Sequence, residues 1–334
     1  MTTVPKRKKG RLNYARYGYF FILPFFLVYL FFQAYPLVNT FYLSTQKYLM
    51  TGAGKIVGPT FVGLKNFQNV LTKGFTIRAF INTGVMWIIN FIPQMGLALL
   101  LAKWFTNTRL KIRGQGAVKV MVYMPNIITA ASIAMLFYSL AAFPQGPFNS
   151  ILASLGIIDQ ATYLNQGTAA TVAVRFLEQG WTTRLIVAFI NFWMWYGHTM
   201  IVLIAGILGI SPSLYEAAQV DGASGNQTFR HITLPLLKPI LLYSLVTSLI
   251  GGMQMYDIPA MMLQQGSPAK AMIQTTTMYI LELVYDGTKD YGRGAAVSVL
   301  LFVATAVLSL ILFAIMRNRD EKPAHRHRKG GVRA

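Results

Sequence analysis

Few residues in this chain are of kinds that do chemistry, and their spacing argues against covalent catalysis. Ten acidic residues and four histidines are spread over 334 positions, and cysteine is absent. That absence excludes disulfide scaffolds, thiolate metal sites and cysteine nucleophiles. No H-E-x-x-H, no G-x-S-x-G and no paired-carboxylate motif occurs. Gly52-Ala53-Gly54-Lys55 looks like the end of a phosphate-binding loop. Such a loop needs glycine at 49 and Ser or Thr at 56, where Leu49 and Ile56 stand. No catalytic residue, metal site or cofactor site follows from these residues.

The chain does offer chemistry of recognition. Asn191-Phe192-Trp193-Met194-Trp195-Tyr196-Gly197-His198 is its densest aromatic and polar patch. Aromatic faces stack on sugar rings, and amides or hydroxyls satisfy sugar hydroxyls. At helical spacing Asn191, Trp195 and His198 share one face and Trp193 lies on a neighbouring one. Two readings stand. The patch is a solute site, or it is an interfacial aromatic belt, since it begins roughly 9 Å into its apolar run. His198, with no acidic neighbour, is either functional or a packing residue hydrogen-bonded across helices. Farther along, Gln254 and Tyr256 are also apt for a solute path.

The elements that position these residues follow from composition. The chain is 54% hydrophobic and only 12% charged, about half the charged share usual in soluble domains. Its mean hydropathy is +0.47. Such a chain cannot cover itself with a wetted surface, which excludes a soluble enzyme and a disordered protein. A net charge of +20 raises nucleic acid as a partner, but the basic residues sit between long apolar runs instead of spreading over a polar chain. Nucleic acid is therefore excluded.

Six runs are long enough to cross a bilayer: 18–38, 80–102, 119–140, 185–209, 236–256 and 294–316. The first is too long for a signal peptide and no small-x-small cleavage site follows it. If the N-terminus is inside, the inner segments hold twenty basic residues and the outer ones ten. The sequence thus predicts an all-α integral membrane protein with six transmembrane helices and both termini cytoplasmic. A basic segment 1–17 precedes the transmembrane domain 18–316, and a basic tail 317–334 follows it. The span interiors offer no lysine or arginine, which favours a neutral solute.

Between the fourth and fifth runs, residues 211–235 carry the most specific spacing. Ser211 or Ser213 is placed to cap a short helix through Glu216-Ala217-Ala218. Gly222 permits a sharp break at positive φ, and a second helical segment runs on to Pro235. The spacing Glu216-Ala-Ala-x-x-x-Gly222, nine residues, then Ile232-x-Leu234-Pro235 resembles in full the EAA loop of permease subunits of binding-protein-dependent ABC importers. Asp221-Gly222-Ala223, Gly63-Leu64-Lys65-Asn66-Phe67 and Met124-Pro125-Asn126 are similar to the maltose-type, MalF-like branch. The likeness covers about residues 18–316.

The resemblance implies an ABC importer type I permease fold. It gives Glu216, Ala217, Ala218, Asp221, Gly222, Ile232, Leu234 and Pro235 the coupling role. It matches Asn191 and Trp193 to an Asn and a Trp that line the family's transmembrane sugar site, with Trp195, His198, Gln254 and Tyr256 as further candidates for the path. It also implies partners: a second permease subunit, expected to be a different chain, two ATPase subunits holding ATP and magnesium, and an extracytoplasmic solute-binding protein. The chain itself is then no enzyme and needs no cofactor. It imports a carbohydrate, expected to be an oligosaccharide, across the bacterial cytoplasmic membrane as a multi-pass protein. The alternatives are a permease for a polyol or glycerol-phosphate-like solute, or a stand-alone secondary transporter. The second would want inverted repeats and paired intramembrane ions, and neither is evident.

Overall fold

A computed structural model describes residues 15–72, 74–107, 113–165, 167–263, 266–287 and 289–316. Nearly all of the basic segment 1–17 and all of the tail 317–334 lie outside the described residues. In chain order, α1 (Ala15–Tyr29) passes through a π-helical turn (Leu30–Ala34) into α2 (Tyr35–Ser44). Strands β1 (Gln46–Met50) and β2 (Ile56–Phe61) follow, then α3 (Lys65–Thr72) and α4 (Phe75–Thr106). Next come α5 (Gln115–Tyr123), a 3-10 turn (Met124–Ile127), α6 (Ala130–Leu140), α7 (Pro147–Ser154), α8 (Gln160–Leu164) and α9 (Ala169–Val172). The long α10 (Gly180–Leu208) leads to α11 (Pro212–Val220), α12 (Gly225–Thr228), a second π-helical turn (Phe229–Thr233) and α13 (Leu234–Leu236). The chain ends with α14 (Lys238–Met253), α15 (Asp257–Met262), α16 (Lys270–Ile273), α17 (Thr276–Tyr285), β3 (Lys289–Asp290) and α18 (Tyr291–Met316).

Among the described residues, four helices are long and apolar enough to cross a membrane: Tyr17–Ser44, Phe75–Thr106, Gly180–Leu208 and Tyr291–Met316. Two further pairs pass only together and are bent, by 89° at residues 127–130 and by 64° at 236–238. The helices outrun the apolar stretches because backbone bonding continues past the last apolar residue. Each bend has a cause in the sequence. Pro125 lacks an N–H to donate, Ile128 and Thr129 are extended, and Thr129 caps α6 by accepting from Ser132 N. At the second bend, Pro239 stands at the start of α14 and cannot continue the ladder from α13.

The chain divides into two compact units. Residues 73–282 with 300–334 form the larger. There α4 and α10 pack side by side through two apolar clusters. Met86, Val187, Ile190 and Met194 belong to one, together with Ile133 of α6 and Ile258 of α15. Ala98, Ala102, Met200, Leu203 and Ile207 belong to the other. Residues 1–72 with 283–299 form the smaller unit, and among the described residues it holds the one departure from an all-α fold. Strands β2, β1 and β3 make an antiparallel sheet in that order. The phosphate-loop look-alike is the hairpin turn between the first two strands. Thr51 N donates to Lys55 O, Gly54 N donates to Thr51 O, and Gly54 has φ +75°. The reason for the departure is local: a connection rich in Tyr, Leu, Ile, Val and Thr, broken by Gly-x-Gly, suits a hairpin.

Asn66 holds the sheet to α3. Its Nδ2 donates to Ser44 O at 2.9 Å and to Gln46 O at 2.8 Å, and the residue is buried. Replacing it with Leu strands two carbonyls. Asn66→Leu is expected to destabilise this unit by about 2–3 kcal/mol, read as faster hydrogen exchange of the β1 amides in the detergent-solubilised protein.

Candidate functional site

Two sites in the larger unit bring the singled-out residues together. The first is a cavity of about 310 Å³ between α4, α10, α14 and the start of α15. Asn191, Trp195 and His198 line it from α10, and Gln254 and Tyr256 from the turn after α14. This is the face that helical spacing predicts for the α10 residues. Trp195 is 46% exposed, and its ring meets the His198 ring edge-on at 5.8 Å. Asn191 is buried, donating to Val187 O at 2.9 Å and lying 3.6 Å from Met255 Sδ. Trp193 lies elsewhere. About 200° round the helix from Trp195, it packs edge-on against Phe137 at 6.0 Å in the apolar core, outside the cavity.

The cavity also draws on residues that the reading of the sequence passed over. Asn90 and Gln94 of α4 are buried in it, as is Ser244 of α14. Gln94 donates to Thr199 Oγ1 at 2.8 Å, and Trp87 donates to Ser248 Oγ at 3.2 Å. Asn90 Nδ2 donates back to Met86 O at 3.2 Å. Ser244 Oγ is buried with no hydrogen-bond partner. The signal for these was present: Asn90 and Gln94 are amides at i, i+4 inside an apolar span, and such residues mark solute paths. Among the described residues Asp257 is the one carboxylate lining the cavity, and no lysine or arginine lines it.

The span interiors nevertheless do contain a cation. Because α10 starts at Gly180, Arg184 falls inside it and is buried. It does not line the cavity.

The second site is the loop 211–235. Here α11 ends in a Schellman motif around Gly222, which has φ +73°. Ala223 N donates to Ala218 O at 2.9 Å and Gly222 N to Gln219 O at 3.1 Å. The expected cap at the other end is not made, since Ser211 and Ser213 hydrogen-bond to each other. A capping box instead starts α12, with Ser224 and Gln227 satisfying each other's backbone N–H. Glu216, Ala217, Asp221, Gly222 and Pro235 are exposed, Ile232 and Leu234 are half-buried, and Ala218 is buried. Beside them runs a groove of about 510 Å³ lined by Tyr215, Glu216, Gln219, Phe229 and the end of α4. Lys103 Nζ reaches across it to Asn226 Oδ1 at 2.5 Å and lies 5.0 Å from the Phe229 ring centre.

This loop, with its offsets intact and its glycine in the left-handed region, sits in the part of the chain that matches a known family. Residues 73–322 match the binding-protein-dependent transport system inner membrane component. The chain belongs to this family. It is 30% identical over 316 residues to the trehalose/maltose transport system permease protein MalF of Thermococcus litoralis, covering 93% of this chain and 98% of the relative. It is 27% identical over 303 residues to the lactose transport system permease protein LacF of Rhizobium radiobacter, covering 90% and 94%. Among solved structures, it resembles a chain of a bacterial ABC transporter involved in the import of the acidic polysaccharide alginate. The TM-score is 0.73 at 25% identity, over 92% of this chain and 98% of that one.

In this member of the transport family, Gly222 is needed for its backbone alone. A Cβ there would meet nothing within 4 Å, so only the positive φ resists substitution. Gly222→Val is expected to cost about 1–2 kcal/mol locally. The check is faster hydrogen exchange at the Gly222 and Ala223 amides with the helix α10 amides unchanged.

Proposed function

We propose that this chain is the permease subunit of an ATP-driven importer for a neutral saccharide, taken up through the α4–α10–α14 cavity. The observation that carries the reading is that cavity. It joins a stacking face, Trp195, to amides and a hydroxyl from three helices, Asn90, Asn191 and Ser244, and to Gln254 in the turn after α14. That is the equipment a sugar needs. The transport systems of the relatives, named for lactose and for trehalose and maltose, support the same class. A phosphorylated or uronic solute would want a cation at the site. Among the described residues no lysine or arginine lines the cavity, which disfavours glycerol phosphates and acidic saccharides.

In this reading six spans place both termini in the cytoplasm, and the loop 211–235 faces the ATPase. Glu216, Ala217, Ala218, Asp221, Gly222, Ile232, Leu234 and Pro235 form the docking surface, with the Schellman turn holding α11 rigid against its partner. The second permease chain, two ATPase subunits carrying ATP and magnesium, and an extracytoplasmic binding protein complete the machine. Closure of the ATPase pair moves the docked loop, and the rigid helices turn the cavity from one side of the membrane to the other. A lone secondary transporter would have no use for the loop.

Two measurements test this. Gentle purification from native membranes should recover an ATPase and a second membrane permease with this chain, and recovery of the chain alone would refute the coupling role. Proteoliposomes of the complex, supplied with its binding protein, should take up at least one of maltose, trehalose and lactose. In them Ser244→Ala should leave stability unchanged, since its hydroxyl has no partner to lose. Uptake should fall about three- to tenfold at limiting sugar, the worth of one hydrogen bond. Equal uptake in the variant would place the sugar elsewhere.

A further inference from the structure

The buried guanidinium of Arg184 takes no part in the transport scheme, yet taking such a charge out of water is costly unless something compensates. No carboxylate meets it among the described residues. Its hydrogen bonds go instead to the stretch between α15 and α17 and to Asn82 of α4. Nε donates to Met272 O at 3.0 Å, and Nη2 donates to the same carbonyl and to Asn82 Oδ1, the latter at 2.6 Å. Asn82 in turn donates to Ala271 O at 3.1 Å and Gln274 O at 3.2 Å. One arginine and one amide therefore occupy three backbone carbonyls of a single short segment. The approach is close, because a Cβ on Gly180 would fall 2.3 Å from Met272 Sδ.

That segment bears on the cavity. Thr275 Oγ1 donates to Met255 O at 2.8 Å, and Met255 lines the cavity beside Asn191 and between Gln254 and Tyr256. The chain of contacts runs from Arg184 to the 271–275 backbone, to Thr275, to Met255. We propose that Arg184 is a positioning residue that fixes the cavity rim Gln254–Asp257 through this relay. The proposal rests on the reading of the cavity as the solute path. A guanidinium suits the task because its planar fork spans two acceptors at fixed angles, which an ammonium cannot do.

The absence of cysteine from the chain makes a direct test available. Met255→Cys, at a buried rim position, is placed in the assembled complex and its reaction with a water-soluble maleimide is timed without any solute. Ala153→Cys, buried in the α7–α9 cluster, reports general loosening. With Arg184→Met added, labelling at 255 is expected to quicken about tenfold, the worth of one charged hydrogen bond to local opening, while labelling at 153 stays constant. Arg184→Lys, which keeps one donor, should recover part of the difference. Thr275→Val, which cuts the relay at its last link, should quicken labelling at 255 even where Arg184→Met fails to assemble. Unchanged labelling at 255 in Thr275→Val, or an equal rise at 153 in Arg184→Met, would overturn the proposal. Failure of the solute-path reading shows separately, as sugar uptake indifferent to Ser244→Ala.

Discussion

Hydrocarbon offers a polar group no partner, so each amide, hydroxyl or charge inside an apolar bundle must find one in the protein or in what the protein carries. The larger unit is organised by this constraint. Gln94 bonds Thr199, Trp87 bonds Ser248, and Thr83 accepts from Thr276 N at 3.0 Å. Each pairing ties α4 to another helix and sets their register. Among the described residues four buried hydroxyls have no partner, Thr76, Ser244, Thr277 and Ser309, and of these Ser244 lines the cavity. In the proposed reading a polar solute supplies the partner that Ser244 lacks.

The same constraint explains why some of the fold could be read from the sequence and some could not. Long apolar runs must be helices in a bilayer, so the positions of α4, α10 and α18 follow from composition alone. The bends at 127–130 and 236–238 do not, because a proline in an apolar run is compatible with a kink, a break or a straight N-terminal turn. The sheet β2–β1–β3 was illegible for a different reason. Its strands are short and sit in a connection, where hydropathy over a long window averages them away, and the third strand pairs with the first from some 240 residues downstream.

The candidate site shows a similar division. The loop was legible because its constraint is local. A helix that must stop and turn needs a residue tolerant of positive φ at one fixed place, and Gly222 supplies it. The cavity was half legible. Trp195 and His198 lie on the face that 3.6-residue periodicity assigns them, while Trp193, about 200° round from Trp195, packs into the core. Resemblance points to Trp193 and Trp195 alike, and of the two only Trp195 lines the cavity. Asn90, Gln94 and Ser244 escaped because no motif contains them. They matter through helices 100 and more residues apart in sequence. Arg184 escaped because the apolar run begins just after it, whereas the helix begins just before.

One element links everything at issue. Helix α10 carries Arg184 near its start and Asn191, Trp195, His198 and Thr199 along its middle, and it ends three residues before α11 begins. Its 29 residues include no proline, and at 1.5 Å per residue it is roughly 43 Å long. Gly197 lets it pass so close to α5 that a Cβ would fall 2.2 Å from Val122 O, and Gly206 does the same against Leu237. A helix held that closely at several points cannot absorb a displacement by flexing between them. It moves as a rod or not at all. In the proposed reading, a push on the loop 211–235 is felt at the cavity as a rotation or translation of one wall. The other walls belong to α4, which contains Pro93, and to α14, which begins at a bend. In that reading the straight helix α10 and the bent α14 meet at the cavity, the place where a carrier must change its opening without losing its contents.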